Sequence, residues 1–402
     1  MTMRMVSGWS TERDPAAAAH AALRQVEQGL AAPPDLLFCH ATARHAGAGL
    51  PGKLRSYSGP VPLIGGTSCR GVATEAGFHA EDGRALGLLG LRDAAGAFGV
   101  GLAEQGAAPE AAAEAALLDA LAQAGRPGEV PDLLWLALAP GREERVLARL
   151  QAIVGTSVPI FGGSTADDDL SGGWRQFGNE DEAADSVAVA ALFPSAGVSP
   201  SCHSGYQPSS RSGCVTSAAG RIVRAIDDRP AATVYDEWTG GAISEVIAAG
   251  GGNVLALSTL HPLAREGGEM AGSPVHILVH PERVEPDGGL ALFAEVAQGE
   301  RLVLMRSTQD QLVEGAGLAA ASARRLGADT EPVGAMTVCC AGCMLAVSDR
   351  MDEVVDRIRT ALGGRPFLTT FTFGEQGRSL AAGNYHGNLM ISAACFGTCN
   401  RE

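Results

Sequence analysis

The sequence predicts an α/β fold of two domains, in which internally repeated strand-helix-strand units form mixed sheets covered by helices. The length of 402 residues suits two to three domains. Short apolar runs alternate with alanine-rich helical segments, which is the pattern of strands joined by helices. A third observation, an internal repeat, gives the order of these elements along the chain.

The repeat lies in the first half of the chain and has an offset of 97 residues. The stretch PDLLFCHAT begins at Pro34 and PDLLWLALA at Pro131, while VPLIGGTS begins at Val61 and VPIFGGST at Val158. An alanine-rich helical segment precedes each copy, and an apolar run, ALGLLGL or SVAVAALF, follows it. Each copy therefore reads as helix, strand, connection, strand ending in Gly-Gly, and a further strand.

We predict a first domain over residues 14–198, made of two copies of this unit, 14–105 and 106–198. The next segment, SPSCHSGYQPSSRSG (199–213), is rich in Ser, Gly and Pro, which is typical of a connection between domains. A second domain then covers 214–400. Near its end, the signals for helix, strand, helix, strand and strand follow one another in the order of the unit, which indicates a looser third copy.

Composition and charge exclude several classes of function. The formal net charge is −15 and no basic stripe is visible, so the chain lacks the clustered Lys and Arg that bind a nucleic-acid backbone. No run of 18 apolar residues is present, so we expect no membrane span, and no secretory signal is apparent. The nine cysteines are an odd number, which favours reduced thiols and a cytoplasmic location over a disulfide framework.

Several motifs occur in the order found in one known family. They are VPIFGGSTADDD (158–169), IDDRPAATVYDEW (226–238), and CAGC (340–343) followed by a helix and TTFTFGEQG (369–377). With these motifs the chain resembles the FIST family, named for F-box and intracellular signal transduction proteins, over almost its whole length.

The resemblance implies a two-domain α/β sensory module that binds a small molecule, such as an amino acid. Our leading hypothesis is that the chain acts as such a sensor in the cytoplasm and not as an enzyme. The resemblance also implies signalling partners, because family members are often fused to, or encoded beside, kinases, cyclic-dinucleotide enzymes or chemoreceptors. Some relatives look like haem-binding nitric-oxide sensors, so the resemblance makes haem a candidate cofactor.

One residue departs from the family pattern. Where the family commonly has arginine after CAG, this chain has Cys343. An arginine at this position could bind a carboxylate through two hydrogen bonds, whereas a cysteine cannot. This difference weakens the expectation that the ligand is an amino acid.

We expect the ligand pocket between the two halves of the chain, where the repeated strand ends concentrate Gly and Cys, because clefts at domain interfaces are favoured sites. The candidate ligand-binding residues are Gly66, Thr67, Ser68, Cys69, Arg70, Cys340, Cys343 and Glu375. The stretch GGTS does not match a phosphate-binding loop, because no lysine follows the glycines. Its glycines instead indicate a turn or a close approach to backbone.

A cysteine-rich metalloprotein or metalloenzyme is the first alternative. Two cysteine pairs, Cys340 with Cys343 and Cys395 with Cys399, lie at or near predicted strand ends of one domain. Such thiols could hold a transition metal such as zinc, copper or iron, and His386 is a further candidate ligand to a metal or haem. The other interpretation is that these cysteines are small buried hydrophobic residues.

A thiol enzyme is the second alternative. Cys69 precedes Arg70, and a neighbouring cation lowers the pKa of a thiol and favours its nucleophilic thiolate form. A catalytic thiol also needs a base, which His40 or His79 could supply. No known catalytic signature surrounds these residues, and a strand-end loop that lines a ligand pocket is the simpler interpretation.

Overall fold

The computed structural model describes residues 3–270, 272–325, 330–379 and 381–399. Its first part, unit 1, alternates strands with helices in the predicted order. The elements of unit 1 are β1 (Arg4–Ser10), α1 (Pro15–Leu30), β2 (Leu36–Ala41), a 3-10 turn (Ala43–His45), α2 (Leu50–Ser58), β3 (Leu63–Thr67), β4 (Val72–Thr74), β5 (Gly77–His79) and β6 (Leu86–Arg92).

Unit 2 follows with the same order of elements. They are β7 (Ala97–Glu104), α3 (Pro109–Gln123), β8 (Leu133–Leu138), α4 (Glu143–Val154), β9 (Ile160–Ser164), β10 (Gln176–Gly178), β11 (Asp181–Ala183) and β12 (Ser186–Phe193). The sequence does not reveal that a strand, β1 or β7, precedes the alanine-rich helix of each unit.

A third unit is interrupted after its first strand by an insertion. The first strand is β13 (Val198–His203), and the insertion contains β14 (Gln207–Ala219), β15 (Ile222–Ile226), β16 (Arg229–Pro230), α5 (Ala231–Thr239), α6 (Ser244–Ala248), β17 (Gly252–Asn253), α7 (Leu255–Ser258), β18 (Leu263–Met270), β19 (Ser273–Val279), β20 (Pro281–Val284), β21 (Leu290–Leu292) and β22 (Arg301–Arg306).

Unit 3 then resumes and runs to the end of the described chain. Its remaining elements are α8 (Gln309–Arg325), β23 (Thr330–Cys340), α9 (Ala341–Ala346), a second 3-10 turn (Ser348–Arg350), α10 (Met351–Ala361), β24 (Phe367–Thr372), β25 (Glu375–Ser379), β26 (Gly383–Gly387) and β27 (Ile391–Cys399). The third copy predicted from the order of elements is therefore present.

Local sequence explains where the helices begin and end. The side chain of Asp14 accepts a hydrogen bond of 2.8 Å from the Ala17 N–H, and Pro15 occupies the first turn of α1, where no N–H partner is needed. The helix ends at Ala31, which adopts a left-handed conformation. The buried face of α1 carries Ala22 and Val26, which pack on the sheet of unit 1.

Each unit forms a six-stranded mixed sheet with the same internal order. Sheet 1 has the order β1-β6-β2-β3-β10-β11, sheet 2 has β7-β12-β8-β9-β25-β26, and sheet 3 has β13-β27-β23-β24-β4-β5. The central pairs β2–β3, β8–β9 and β23–β24 are parallel, which requires a crossover connection such as α2 or α4. The prediction of an internally repeated α/β fold is confirmed.

The last two strands of each sheet are a hairpin donated by another unit. Unit 2 donates β10–β11 to sheet 1, unit 3 donates β25–β26 to sheet 2, and unit 1 donates β4–β5 to sheet 3. The three donations close a ring with pseudo-threefold symmetry. Each unit is therefore completed by one neighbour and completes the other.

The three sheets share one apolar core on the inner side of this ring. The Phe38 ring of unit 1 lies 5.6 Å from the Trp135 ring of unit 2 and 6.2 Å from the Phe396 ring of unit 3. The helices cover the outer faces: α1 and α2 cover sheet 1, α3 and α4 cover sheet 2, and α8 and α10 cover sheet 3. The insertion has its own nine-stranded sheet and its own core around Tyr235.

The segment 199–213, interpreted from its composition as a connection, is mostly strand. Residues Val198–His203 pair with β27, and the strand that begins at Gln207 pairs with β22. Backbone hydrogen bonding in these ladders outweighs the low strand propensity of Ser, Gly and Pro. Sheets 2 and 3 also join strands from both sides of this segment, so the sequence halves are interleaved in space.

Candidate ligand-binding site

Three strand ends meet at the pseudo-threefold axis, and backbone hydrogen bonds join them in a cycle. The bonds, each 3.0 Å long, run from Ala166 N–H to Thr67 O, from Phe373 N–H to Ser164 O, and from Cys69 N–H to Phe371 O. The ends of β3, β9 and β24 therefore occupy equivalent positions. The strand end in GGTS and its copy in GGST are two of the three parts of this junction.

The glycines of the repeat are required by close packing at this junction. A Cβ atom on Gly66 would lie 2.3 Å from Thr165 Cγ2, and one on Gly163 would lie 2.4 Å from Thr372 Cγ2. Such distances are far inside van der Waals contact, so neither position accepts a side chain without movement. The Gly-Gly pair is thus an architectural feature of the ring.

A cavity of about 430 Å³ opens beside the junction, at the end of β24. Its lining comes from unit 1, from residues 168–170 of unit 2, from α7 and its neighbours in the insertion, and from α9 and the end of β24 in unit 3. The apolar part of the lining includes Leu170, Leu255, Leu260, Phe293, Leu345 and Phe373. The polar part includes Cys69, Thr259, His280, Cys340, Thr372 and Asn388.

Asn388 lies in the cavity lining and is almost fully buried. Its Oδ1 accepts a hydrogen bond of 3.2 Å from the His280 N–H. Its Nδ2 has no hydrogen-bond partner among the described residues. This donor is itself fully buried, so it is not part of the surface that the cavity presents to a ligand.

The imidazole of His280 forms part of the same cavity wall. Its Nε2 lies 3.3 Å from Leu255 O and 3.4 Å from Thr259 Oγ1. Burial lowers the pKa of this histidine to about 4, so it is neutral at physiological pH. His280 therefore adds a polar surface to the cavity without adding a positive charge.

Glu375 lies directly behind the cavity wall. Thr372, which lines the cavity, donates a hydrogen bond of 2.9 Å from Oγ1 to Glu375 Oε1, and the Met390 N–H donates one of 3.1 Å to Oε2. Burial raises the pKa of Glu375 to about 8, more than these hydrogen bonds lower it. The carboxyl group is therefore mostly protonated at neutral pH.

The structure distributes the eight predicted ligand residues over three locations. Cys69 and Cys340 line the cavity. Gly66, Thr67 and Ser68 are packed inside the junction and do not reach the cavity.

The other three predicted ligand residues lie around the cavity lining. The Arg70 N–H donates a hydrogen bond of 2.6 Å to Asp168 Oδ1, next to the cavity wall. Cys343 lies on the buried face of α9 with its Sγ 3.9 Å from Tyr206 Oη, and Glu375 contacts the wall through Thr372 and Cys340.

Sequence reasoning missed Asn388, His280 and Thr372 as parts of the site. A weak signal precedes Asn388: it ends the polar stretch NYHGN just before the apolar strand β27. No motif near His280 indicates the site, because the insertion that carries His280 is brought to the cavity only when the chain folds.

Arg70 does lower the pKa of the Cys69 thiol, as expected, but burial and the neighbouring Asp168 outweigh it. The net result is a pKa raised to about 12, so the thiol is not activated as a nucleophile. The proposed bases make other contacts: His40 Nδ1 lies 3.2 Å from Gly66 O, and His79 Nε2 lies 2.9 Å from Thr74 Oγ1. Burial lowers the pKa of both histidines to about 4.

The predicted metal ligands whose side chains the structure describes are not brought together into one site. Cys395 pairs with Ala335, five residues before Cys340 on β23, which is a separation of roughly 16 Å along the strand. His386 lies elsewhere, with its Nε2 3.9 Å from Glu143 Oε1, and the Cys399 side chain lies outside the described residues. Within the described ranges, no three His, Cys, Asp or Glu side chains are arranged to hold a metal ion. The metal and haem alternatives therefore find no support.

A buried ion-pair cluster, which the sequence did not indicate, joins unit 2 to the insertion. Arg221 Nη2 lies 2.5 Å from Glu143 Oε2 and 2.8 Å from Glu144 Oε2. Ser164, at the end of β9, donates a hydrogen bond of 2.6 Å to Glu143 Oε1. Burial favours the neutral form of Glu143, but His386 and Arg221 outweigh it and lower the pKa of its carboxyl group.

Comparison with known proteins decides the family. A model of the FIST N domain matches residues 35–229, and a model of the FIST C domain matches residues 231–378. The chain belongs to the FIST family. FIST domains are sensory domains of signal transduction, and the two matches together cover nearly the whole chain.

No curated protein shows significant sequence similarity to this FIST chain. Two solved structures of cyanuric acid hydrolase align with it at low similarity. One, described as an evolutionary innovation by structural concatenation, has 9% identity and a TM-score of 0.32, and the alignment covers 98% of this chain and 100% of the hydrolase. The other, from A. caulinodans, has 10% identity and a TM-score of 0.34, with 98% and 99% coverage. A likeness this weak carries no activity over to the FIST chain.

The described residues include no helix that combines the length and the apolar character needed to cross a membrane.

Proposed function

We propose that this FIST chain is a cytoplasmic small-molecule sensor whose ligand occupies the cavity at the end of β24. One observation carries the proposal: a single cavity is lined by all three units and by the insertion. Its volume of about 430 Å³ lies within the range of small-molecule sites. Apolar side chains, among them Leu255, Phe293 and Phe373, form much of its wall.

This position explains how binding can become a signal. A ligand in the cavity would contact Cys69 of unit 1, Leu170 of unit 2, Leu255 of the insertion and Cys340 of unit 3. It therefore favours the arrangement in which the four parts are in place over any arrangement that separates them. A signalling partner, such as a kinase or a cyclic-dinucleotide enzyme, would then respond to that arrangement.

The variant Ala256→Trp tests the proposal by blocking the cavity. Ala256 lines the cavity from α7 and is exposed, so a large ring can be added there without disturbing a core. The measurement is thermal unfolding in the presence of a panel of amino acids, amides and aromatic carbonyl compounds. At least one compound is expected to raise the midpoint of the wild-type chain by about 2 °C or more and to leave that of Ala256→Trp unchanged.

Leu257→Trp is the matched control. Leu257 is the next residue of α7, is also exposed, and is not part of the cavity lining. It should respond to the compounds as the wild-type chain does. If no compound stabilises the wild-type chain, or if both tryptophan variants respond equally, the proposed site is incorrect.

A further inference from the structure

We propose that the ligand of this cavity is an organic cation, such as a protonated amine, which carries N–H donors on an apolar body and has no carboxylate. This inference rests on the proposed function, because it assigns a chemical class to the ligand of the same site. It departs from the free amino acid that the family resemblance implies, because an amino acid carries a carboxylate beside its ammonium group.

The first observation is the tautomer of His280, which lines the cavity and is only 3% exposed. Thr259 Oγ1 donates its single hydrogen to Leu255 O, at 2.8 Å, and has none left for the imidazole. The contacts of His280 Nε2 with Leu255 O and Thr259 Oγ1 therefore require that Nε2 carries the ring proton. Because burial keeps the ring neutral, Nδ1 is then a hydrogen-bond acceptor.

This acceptor is open to the cavity. Nδ1 makes no hydrogen bond with a described residue, and it is not among their unpartnered atoms that are fully buried, so part of its surface is accessible. It lies beside Gly342, another residue of the lining: a Cβ atom on Gly342 would be 3.6 Å from Nδ1. The free lone pair of Nδ1 therefore calls for a donor, and a ligand N–H supplies one.

The second observation is the charge of the lining. Asp168 and Asp169 lie in the cavity wall, and the described residues of the lining include no Lys or Arg. The carboxylates accept hydrogen bonds from the backbone N–H groups of Arg70 and Ser171, which leave their negative charges in place. A cation in the cavity would offset these charges, whereas a carboxylate would be repelled and would lose its hydration without meeting a cation.

The third observation is the aromatic part of the wall. The centroid of the Phe293 ring lies 6.0 Å from that of His280, and the edge-to-face pair of Phe373 with Trp174 has a centroid distance of 6.1 Å. An apolar ligand body would cover Phe293 and Phe373 and remove their surface from water. Aromatic rings also attract cations, so this wall suits an apolar body that ends in an ammonium group.

The test compares four probes with the same phenyl ring: phenethylamine, 2-phenylethanol, 3-phenylpropionate and phenylalanine. Ligand-observed NMR titrations at neutral pH, where the amine is protonated, give their affinities for the full chain. We expect phenethylamine to bind the wild-type chain, and the other three probes to bind at least about tenfold more weakly. Ala256→Trp should abolish phenethylamine binding, while Leu257→Trp should retain it.

A methylated probe asks whether His280 Nδ1 accepts a hydrogen bond from the ligand. N,N,N-trimethylphenethylammonium keeps the charge and the apolar body but has no N–H, so it should bind the wild-type chain about fivefold more weakly than phenethylamine. His280→Phe removes the acceptor and should bring the two affinities within about twofold of each other. If this variant does not fold, the wild-type comparison decides alone. Equal or tighter binding of the methylated probe to the wild-type chain would overturn the assignment.

The double variant Asp168→Asn with Asp169→Asn tests the negative wall. Each asparagine keeps an Oδ1 acceptor for its backbone N–H, so the charge alone is lost, and phenethylamine affinity should fall at least about threefold. Asp181→Asn with Asp352→Asn is the matched control, because it removes the same charge at exposed positions outside the lining. It should leave phenethylamine affinity unchanged, and equal losses in the two double variants would contradict the proposal.

The probes are also added to the thermal panel, so that failure of the ligand class and failure of the site can be told apart. If an uncharged, anionic or zwitterionic probe binds as well as phenethylamine, and Ala256→Trp blocks that binding, the ligand class is wrong but the cavity remains the site. If only another compound of the panel stabilises the chain in a way that Ala256→Trp abolishes, the ligand class is again overturned alone. If nothing binds in a way that Ala256→Trp blocks, both proposals are overturned.

Discussion

Glu375 shows at the residue scale how burial controls a single charge. Its pKa is raised to about 8 by burial, whereas an unperturbed glutamate has a pKa of about 4.5. Between these two values the folded chain holds a proton that the unfolded chain has released. The free energy of unfolding therefore falls as pH rises through this window, by up to about 1.4 kcal/mol per pH unit from this group.

The variant Glu375→Gln should lack this contribution. Glutamine retains an acceptor for the Met390 N–H and does not titrate, so wild type and variant should diverge steadily from pH 5 to pH 8, with the variant gaining relative stability. Urea unfolding at unit steps of pH measures the difference. Glu245→Gln, at an exposed position of α6, should keep the wild-type pH dependence. Parallel profiles for wild type and Glu375→Gln would show that Glu375 does not hold a proton.

At the scale of elements, the turn between β14 and β15 is attached to α4 by Arg221. This guanidinium lies against Glu143, whose side chain is 1% exposed, and against Glu144. Removal of one partner of a buried ion pair leaves the other charge uncompensated, which typically costs 3–5 kcal/mol. We expect Arg221→Ala to lose about 3 kcal/mol or more of unfolding free energy, measured by urea denaturation.

Arg224→Ala is the matched control for this prediction. Arg224 lies three residues further along, on β15, and pairs with Asp287 at the surface, where both side chains are about half exposed. Exposed pairs of this kind contribute about 0–1 kcal/mol. Glu143→Gln combined with Arg221→Ala should recover part of the loss, because the more deeply buried of the two carboxylates then no longer carries an unpaired charge. If Arg221→Ala and Arg224→Ala lost the same unfolding free energy, the buried ion pair of Arg221 would contribute no more than an exposed one.

At the scale of the whole molecule, the exchange of hairpins makes the three units depend on one another. Each sheet is completed by a hairpin from another unit, and the three sheets share the core around Phe38, Trp135 and Phe396. Opening one unit therefore exposes a sheet edge and part of the common core of the others. We expect the central strands β2, β8 and β23 to open together.

Hydrogen exchange measured by mass spectrometry checks this cooperativity. Peptides from β2, β8 and β23 should show opening free energies within about 1 kcal/mol of one another. Peptides from α7, a four-residue helix at the surface of the insertion, should exchange at a lower free energy and serve as the internal control. If β8 opened at a free energy well separated from those of β2 and β23, the units would be independent.

The sequence by itself determined the repeat, the order of strands and helices, and the special positions of Gly66 and Gly163. These features are recorded in contiguous residues, as periodicity and as matching motifs at one offset, so they can be read without the fold. The family motifs are local in the same sense. For this reason Cys69 and Cys340, which follow such motifs, were correctly expected near strand ends.

Only the tertiary structure decided which unit receives each hairpin, where the cavity lies, and what the polar side chains do there. Asn388 and His280 are 108 residues apart, and Arg221 is 78 residues from Glu143. Burial is likewise a collective property: it raises the pKa of Cys69 although Arg70 is adjacent in sequence. Contacts and desolvation of this kind arise when distant segments pack together, and no local pattern records them.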